Sequence, residues 1–247
     1  MPPIIDIIRS AETPDKTFEH DPDITSHGEY QVFLFKYSYP YHYKITHIVS
    51  SPMRRCIRTT VEAFGETLTR GKQMMLLPEL QPIGASPYDT GRSPRALEAL
   101  FRPCIDSSMI DSRWSDKTTG SRFAPDVALI EERARKARVF LRELAQSGPE
   151  DAHIPVITHG SFAHFLTENY AGLSLQQYTT FQDVGMRSFE FVDLLGDDRD
   201  AKMIETADSL AKSKLPRFED LDDVEKSRLK MCAVMGVERQ KTSNSQV

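Results

Sequence analysis

Apolar positions along the chain fall into short β-branched runs separated by stretches with helical spacing. Residues 3–9 form the first run, Pro-Ile-Ile-Asp-Ile-Ile-Arg. Its near-continuous apolar character predicts a strand buried on both faces that delivers Arg9, Ser10, Ala11 and Glu12 at its C-terminal end. Residues 45–49 predict a second strand. Ser50-Ser51-Pro52 follows, a Ser cap with Pro in the first turn, and predicts a helix to about Thr69 that stops before Gly71. A third strand is expected over residues 74–77, a short helix over Pro94–Phe101, and a long helix dense in Glu, Arg and Ala over residues 124–144, closed by Ser147-Gly148-Pro149. Residues 154–158 predict a fourth strand with His159-Gly160 at its end, then a helix to about Tyr170, and residues 187–192 a last strand. Such alternation predicts an α/β fold, a three-layer sandwich with a mainly parallel sheet covered by helices on both faces.

The chain has 247 residues, a length that suits one α/β core with an insertion. A single domain is expected over residues 1–238. Within it, residues of about 85–125, rich in Pro, Gly, Ser and Asp, are expected to form a small cap insertion, and residues 239–247 a polar, frayed tail. Hydrophobic residues at 39% and charged residues at 27% exclude disordered and fibrous classes. A net charge of -5 has the wrong sign for a nucleic-acid partner. Three cysteines (Cys56, Cys104, Cys232) without a CxxC pair fit a reducing compartment and no structural zinc. The N-terminal run lacks the basic start and apolar length of a secretory signal, and no window approaches the roughly 18–20 apolar residues of a membrane span. A cytoplasmic protein without a membrane partner is expected.

In open α/β sheets ligands bind beyond the carboxyl ends of the strands. Three such ends carry chemistry: Arg9-Ser10-Ala11-Glu12, Ser50-Ser51-Pro52-Met53-Arg54-Arg55, and Thr158-His159-Gly160. Two guanidinium groups and an imidazole around one cavity would clamp a phosphate or carboxylate. Adjacent helical positions diverge by about 100°, so one of Arg54 and Arg55 must face away. Of the other histidines, His20 and His27 are candidates for the pocket mouth. His159 and His164 are five apart and no His-Glu-x-x-His occurs, so no metal or other cofactor is expected. Cys56 reads as a small core residue, and residues 219–226 as a solvated charged face.

These motifs resemble those of the histidine phosphatase superfamily, the phosphoglycerate mutase-like fold. Ile24-Thr25 with Gly28 and Gln31 is similar to the family's Leu-Thr-x-x-Gly-x-x-Gln segment, and Ser50 to Thr60 to its Ser-Ser-Pro-Leu-x-Arg-Ala-x-Gln-Thr-Ala segment. Thr158-His159-Gly160-Ser161-Phe162 resembles the third block and Ser188-Phe189-Glu190-Phe191 a late strand, in consistent order over residues 3–195. The resemblance implies that Arg9, Arg55 and His159 surround an anion, with Arg55 rather than Arg54 facing it.

The family's signature is Arg-His-Gly-Glu, whose histidine carries the phosphoryl group. Here the sequence is Arg9-Ser10-Ala11-Glu12, and a serine without a base is a poor, short nucleophile. The family's Leu-x-Glu acid aligns with Leu80-Gln81-Pro82, and proline carries no proton; Glu79 and Asp89 are the candidate replacements. The sequence therefore reads as a non-phosphatase member of the fold, repurposed for acid/base chemistry on a small anionic or oxygenated metabolite. In that reading His159, Glu12 and Ser10 act on the substrate, Arg9, Arg55, Glu79 and Asp89 bind it, and the imidazole, lowered by the arginines and raised by a nearby Glu12, titrates near neutrality. Dehydration, isomerisation or cyclisation in fungal specialised metabolism is the setting this suggests, with a polyketide-like or terpenoid acid as candidate substrate. The alternative is a catalytically inactive pseudophosphatase that binds an anion or a protein partner.

Overall fold

The computed structural model describes residues 1–14 and 19–244, with side chains as far as Gln240. Seven strands form one sheet: β1 (Ile4–Arg9), β2 (Val49–Ser50), β3 (Met74–Leu76), β4 (Ile105–Asp106), β5 (His153–Thr158), β6 (Met186–Phe191) and β7 (Met203–Glu205), in the spatial order β4-β3-β2-β5-β1-β6-β7. The pairs from β4 through β1 are parallel, whereas β6 runs antiparallel to both neighbours. β1 is buried on both faces, as its near-continuous apolar run predicts. Ile5 and Ile7 join the cluster beneath one helical layer and Ile8 the cluster beneath the other. Asp6, fully buried between them, accepts hydrogen bonds from the hydroxyls of Tyr39 (2.7 Å) and Ser188 (2.6 Å) and pairs with His153 Nδ1 (2.8 Å).

One layer holds α1 (Ser26–Ser38), α2 (Arg54–Thr69) and α3 (Pro94–Phe101); the other holds α4 (Val127–Ser147), α5 (Gly160–Thr167) and α7 (Asp223–Asn244), with the short α6 (Ala207–Ser213) beside β6. Ser93 and Asp126 cap α3 and α4 through their side chains. The three-layer α/β architecture expected from the sequence is present.

Several boundaries differ. The run 45–49 pairs only at Val49, with an isolated bridge from Ile45 to His153; Ile45 and Ile48 serve the core without a ladder. α2 begins at Arg54, not at the Ser-Pro turn, because the Ser51 hydroxyl is engaged by His159 and the buried Asp21 carboxylate takes the Arg54 N–H (3.0 Å). β6 is not the last strand, since β7 pairs with it. Residues 85–125 supply the edge strand β4, bury Trp114 completely in the core, and bring Tyr88 and Asp89 to the cavity beyond the strand ends. The expected tail from Arg239 continues α7 through Asn244, and residues 245–247 lie outside the described residues. Among the described residues, no helix is long and apolar enough to cross a membrane.

Candidate functional site

β5 lies between β1 and β2 in the sheet, with Arg9 opposite Thr158 and Ser50 opposite Ile157. Parallel pairing therefore ends the three motif-bearing strands side by side at one edge. The backbone continues that alignment, as Ser10 N–H donates to Thr158 O and Ser51 N–H to Ile157 O. Beyond these ends lies a cavity of about 460 Å³, lined by Arg9, Ser10, Glu12, Arg55, Asp89 and His159 among others.

Arg54 and Arg55 part as helical geometry demands. Arg54 turns to Asp23 (2.8 Å), while Arg55 enters the site with its side chain almost completely buried. Arg55 is held on every nitrogen: Nε donates to His159 Nδ1 (3.3 Å), Nη1 to the Tyr88 carbonyl (2.9 Å) and Nη2 to Asp89 (3.1 Å). Its plane also lies over the Tyr88 ring at 4.5 Å. Since Nδ1 of His159 accepts, its ring proton resides on Nε2 and donates to the Ser51 hydroxyl (3.0 Å). Burial first, then the charges of Arg55, Lys117, Arg133 and Arg9, hold this imidazole well below its ordinary pKa. The near-neutral imidazole expected from the sequence is thus corrected to a neutral, weakly basic one. Glu12, expected to raise it, faces elsewhere.

Glu12 Oε1 accepts from Thr25 (2.9 Å) and Oε2 lies 3.0 Å from His27 Nδ1; these hydrogen bonds hold the carboxyl below its usual range. This explains the Thr25, Gly28 and Gln31 motif. Thr25 caps α1 while bonding Glu12, Gln31 accepts the Glu12 N–H, and Gly28 lets the chain pass where a Cβ would sit 2.5 Å from the Glu12 carbonyl. Gly160 serves likewise: a Cβ there would meet Thr179 Oγ1 at 2.6 Å. Arg9 donates to Phe181 O (2.8 Å) and pairs with Asp183 (2.7 Å), both on the loop before β6. His27 stands beside the cavity through Glu12, whereas His20 is exposed and does not line it.

Ser10 is buried at the end of β1, and Pro82 lines the cavity. Of the two candidate replacements, Asp89 lines the cavity and pairs with Arg55. Glu79 does not: its carbonyl accepts from Arg133 (2.7 Å) in a turn behind the wall, which corrects its expected place in the site. The Pro82 carbonyl takes two further buried cations, Lys117 (2.8 Å) and Arg133 (2.9 Å). Cys56 is a fully buried thiol 3.6 Å from His159 Nε2, pushed by burial up to about 12. Sequence reasoning missed Asp183, Thr179 and Gln240, which reach the cavity from a loop and from α7 with no local motif. Among the described residues, no group of three or more His, Cys, Asp or Glu side chains could hold a metal ion.

No curated protein sequence matches the chain. Among solved structures, the ecdysone phosphate phosphatase of Bombix mori, in complex with tungstate, is similar with a TM-score of 0.55 at 12% identity, covering 76% of this chain and 88% of that one. A mycobacterial hydrolase is similar with a TM-score of 0.50 at 17% identity, covering 83% and 96%. Both show the shared fold. The family model of the histidine phosphatase superfamily (branch 1) matches residues 5–203, spanning every motif that builds the cavity, and the chain belongs to that superfamily.

Proposed function

We propose that this chain is a non-phosphatase member of its superfamily whose cavity binds a small oxyanion without transferring a phosphoryl group. The observation that carries the reading is the state of His159: neutral, with both ring nitrogens engaged by Arg55 and Ser51, beside a serine at position 10. Phosphoryl transfer in the family's manner needs a nucleophile at the end of β1 and a proton donor for the leaving oxygen; Ser10 and Pro82 supply neither.

Binding capacity remains. A guanidinium carries five N–H donors, and the contacts of Arg9 and Arg55 leave donors over on both. The cavity wall sets these two cations against the carboxylates of Glu12, Asp89 and Asp183, which favours a singly charged ligand over a dianion. The tungstate complex of the Bombix mori enzyme supports an oxyanion as the class of ligand.

Acid/base catalysis of dehydration, isomerisation or cyclisation is the second reading. It requires His159 to leave both partners before it moves a proton, or Glu12 to act as a base from a carboxyl already held low. The binding reading needs neither.

Calorimetric titration with inorganic phosphate, beside an assay with para-nitrophenyl phosphate, tests the proposal. Phosphate should bind, more tightly at about pH 6 than at about pH 8 because the monoanion predominates at the lower pH. Arg9→Ala should weaken binding by about tenfold or more, the scale of one charge-assisted contact. No aryl phosphate should turn over. Turnover abolished by Ser10→Ala, or phosphate affinity indifferent to Arg9→Ala, overturns the reading.

A further inference from the structure

The inner face of α1 packs Gly28, Val32, Phe35 and Tyr39 against the body of the protein, the last two against Phe64 of α2. Its opposite face is also apolar. Tyr30, Phe33, Leu34 and Tyr37, spaced i, i+3, i+4, i+7, stand 57%, 55%, 51% and 73% exposed. A helix with two apolar faces and one of them bare is the pattern of an unfilled interface. With side chains of roughly 150–250 Å² each, these four leave about 450 Å² of apolar surface on one turn-to-turn stripe, near the upper end of what monomers carry.

We infer that this stripe is the two-fold interface of a homodimer in which α1 packs antiparallel against α1 of a second copy. The order of residues argues for that occupant. Reversing Tyr-x-x-Phe-Leu-x-x-Tyr exchanges only Phe and Leu, so a two-fold axis midway between positions 33 and 34 lays Tyr30 on Tyr37 of the second copy and Phe33 on Leu34. The flanks agree. Glu29 and Lys36 lie on the same side of the stripe, about 100° from its centre. Antiparallel pairing keeps this flank on one side of the interface and brings Glu29 beside Lys36 of the second copy twice, while a parallel two-fold would carry the second copy's Glu29 and Lys36 to the opposite flank and make neither pair. Lys36 is already bonded to Glu66 at 3.0 Å, which fixes its ammonium at that edge. Two copies of the stripe bury about 900 Å² from these side chains alone, and the flanking residues carry the total past the roughly 1,000 Å² of a specific interface.

Light scattering coupled to size exclusion, and sedimentation velocity over about 1 to 100 µM, test this on the full chain. The wild type should run as a dimer. Phe33→Glu should run as a monomer with unchanged circular dichroism, its side chain being on the exposed face. A register test covers the case in which Phe33→Glu aggregates. Tyr30→Cys protein mixed with Tyr37→Cys protein under oxidising conditions should form the mixed disulfide dimer well above either variant alone. A wild type monomeric at 100 µM, a dimer unaffected by Phe33→Glu, or cross-linking no better in the mixture than in the single variants overturns the inference.

Discussion

Acidification should unlatch the loop that completes the cavity, and His164 sets the pH at which this happens. His164 is fully buried on α5; its Nδ1 donates to the Asn169 carbonyl (2.7 Å) and its Nε2 accepts the Thr180 N–H (3.1 Å). Both nitrogens are thus committed in the neutral tautomer, and a second ring proton would face the Thr180 donor head-on. Burial is the main cause that lowers its pKa, from 6.5 to about 4. Between these values the unfolded chain binds the proton that the folded chain refuses, so this stability is complete above about pH 6.5 and declines as the pH falls toward 4. The shift corresponds to about 3 kcal/mol, at about 1.4 kcal/mol per unit. The residue held by this bond neighbours Thr179, which lines the cavity, and Phe181, whose carbonyl fixes Arg9. Urea unfolding at intervals between about pH 4 and 7 measures the effect in the wild type and in His164→Gln, whose amide does not titrate. The variant should be less stable at pH 7, by about 1–3 kcal/mol for the lost buried contacts. Its pH dependence should be shallower, since His164 no longer contributes while His159 and His47, shifted in the same direction, still do. Equal pH slopes for the two proteins would falsify the assignment of this proton to His164.

Arg55→Ala removes one partner of a buried ion pair and the donor that fixes the His159 tautomer; unfolding should show a loss of about 3–5 kcal/mol. Gly28→Ala drives a methyl against the Glu12 carbonyl, costing about 1–3 kcal/mol by thermal or urea unfolding and displacing Glu12 in a crystal structure of the variant. Asp6→Ala leaves Tyr39, Ser188 and His153 without their acceptor and should destabilise by more than about 3 kcal/mol in the same assay, at unchanged phosphate affinity because the cluster does not line the cavity.

The sequence by itself determined the layers of the fold and the chain positions of the site. Short β-branched runs such as Ile4 to Ile8, interrupted only by Asp6, read as strands covered on both faces, and the residues at the ends of β1, β2 and β5 follow from where those runs stop. It also placed Ser10 and Pro82 at the positions where the resemblance puts the family's nucleophile and its acid, a reading that rests on residue identity alone. It did not reveal α1 as a helix of the core layer, since apolar residues on two opposite faces blur the single stripe that periodicity detects. Nor did it reveal β4 or β7, which are too short to carry a pattern of their own and form only because a neighbouring strand offers its edge.

Tertiary structure alone decided the electrical state of the site. Asp89 and Asp183 reach Arg55 and Arg9 from loops 34 and 174 positions away in the chain. His159 is enclosed among cations contributed by four separate segments, and Glu12 is drawn toward α1 and away from the imidazole it was expected to tune. A pKa depends on burial and on charges within a few ångströms, and a linear sequence specifies neither until the chain has closed on itself.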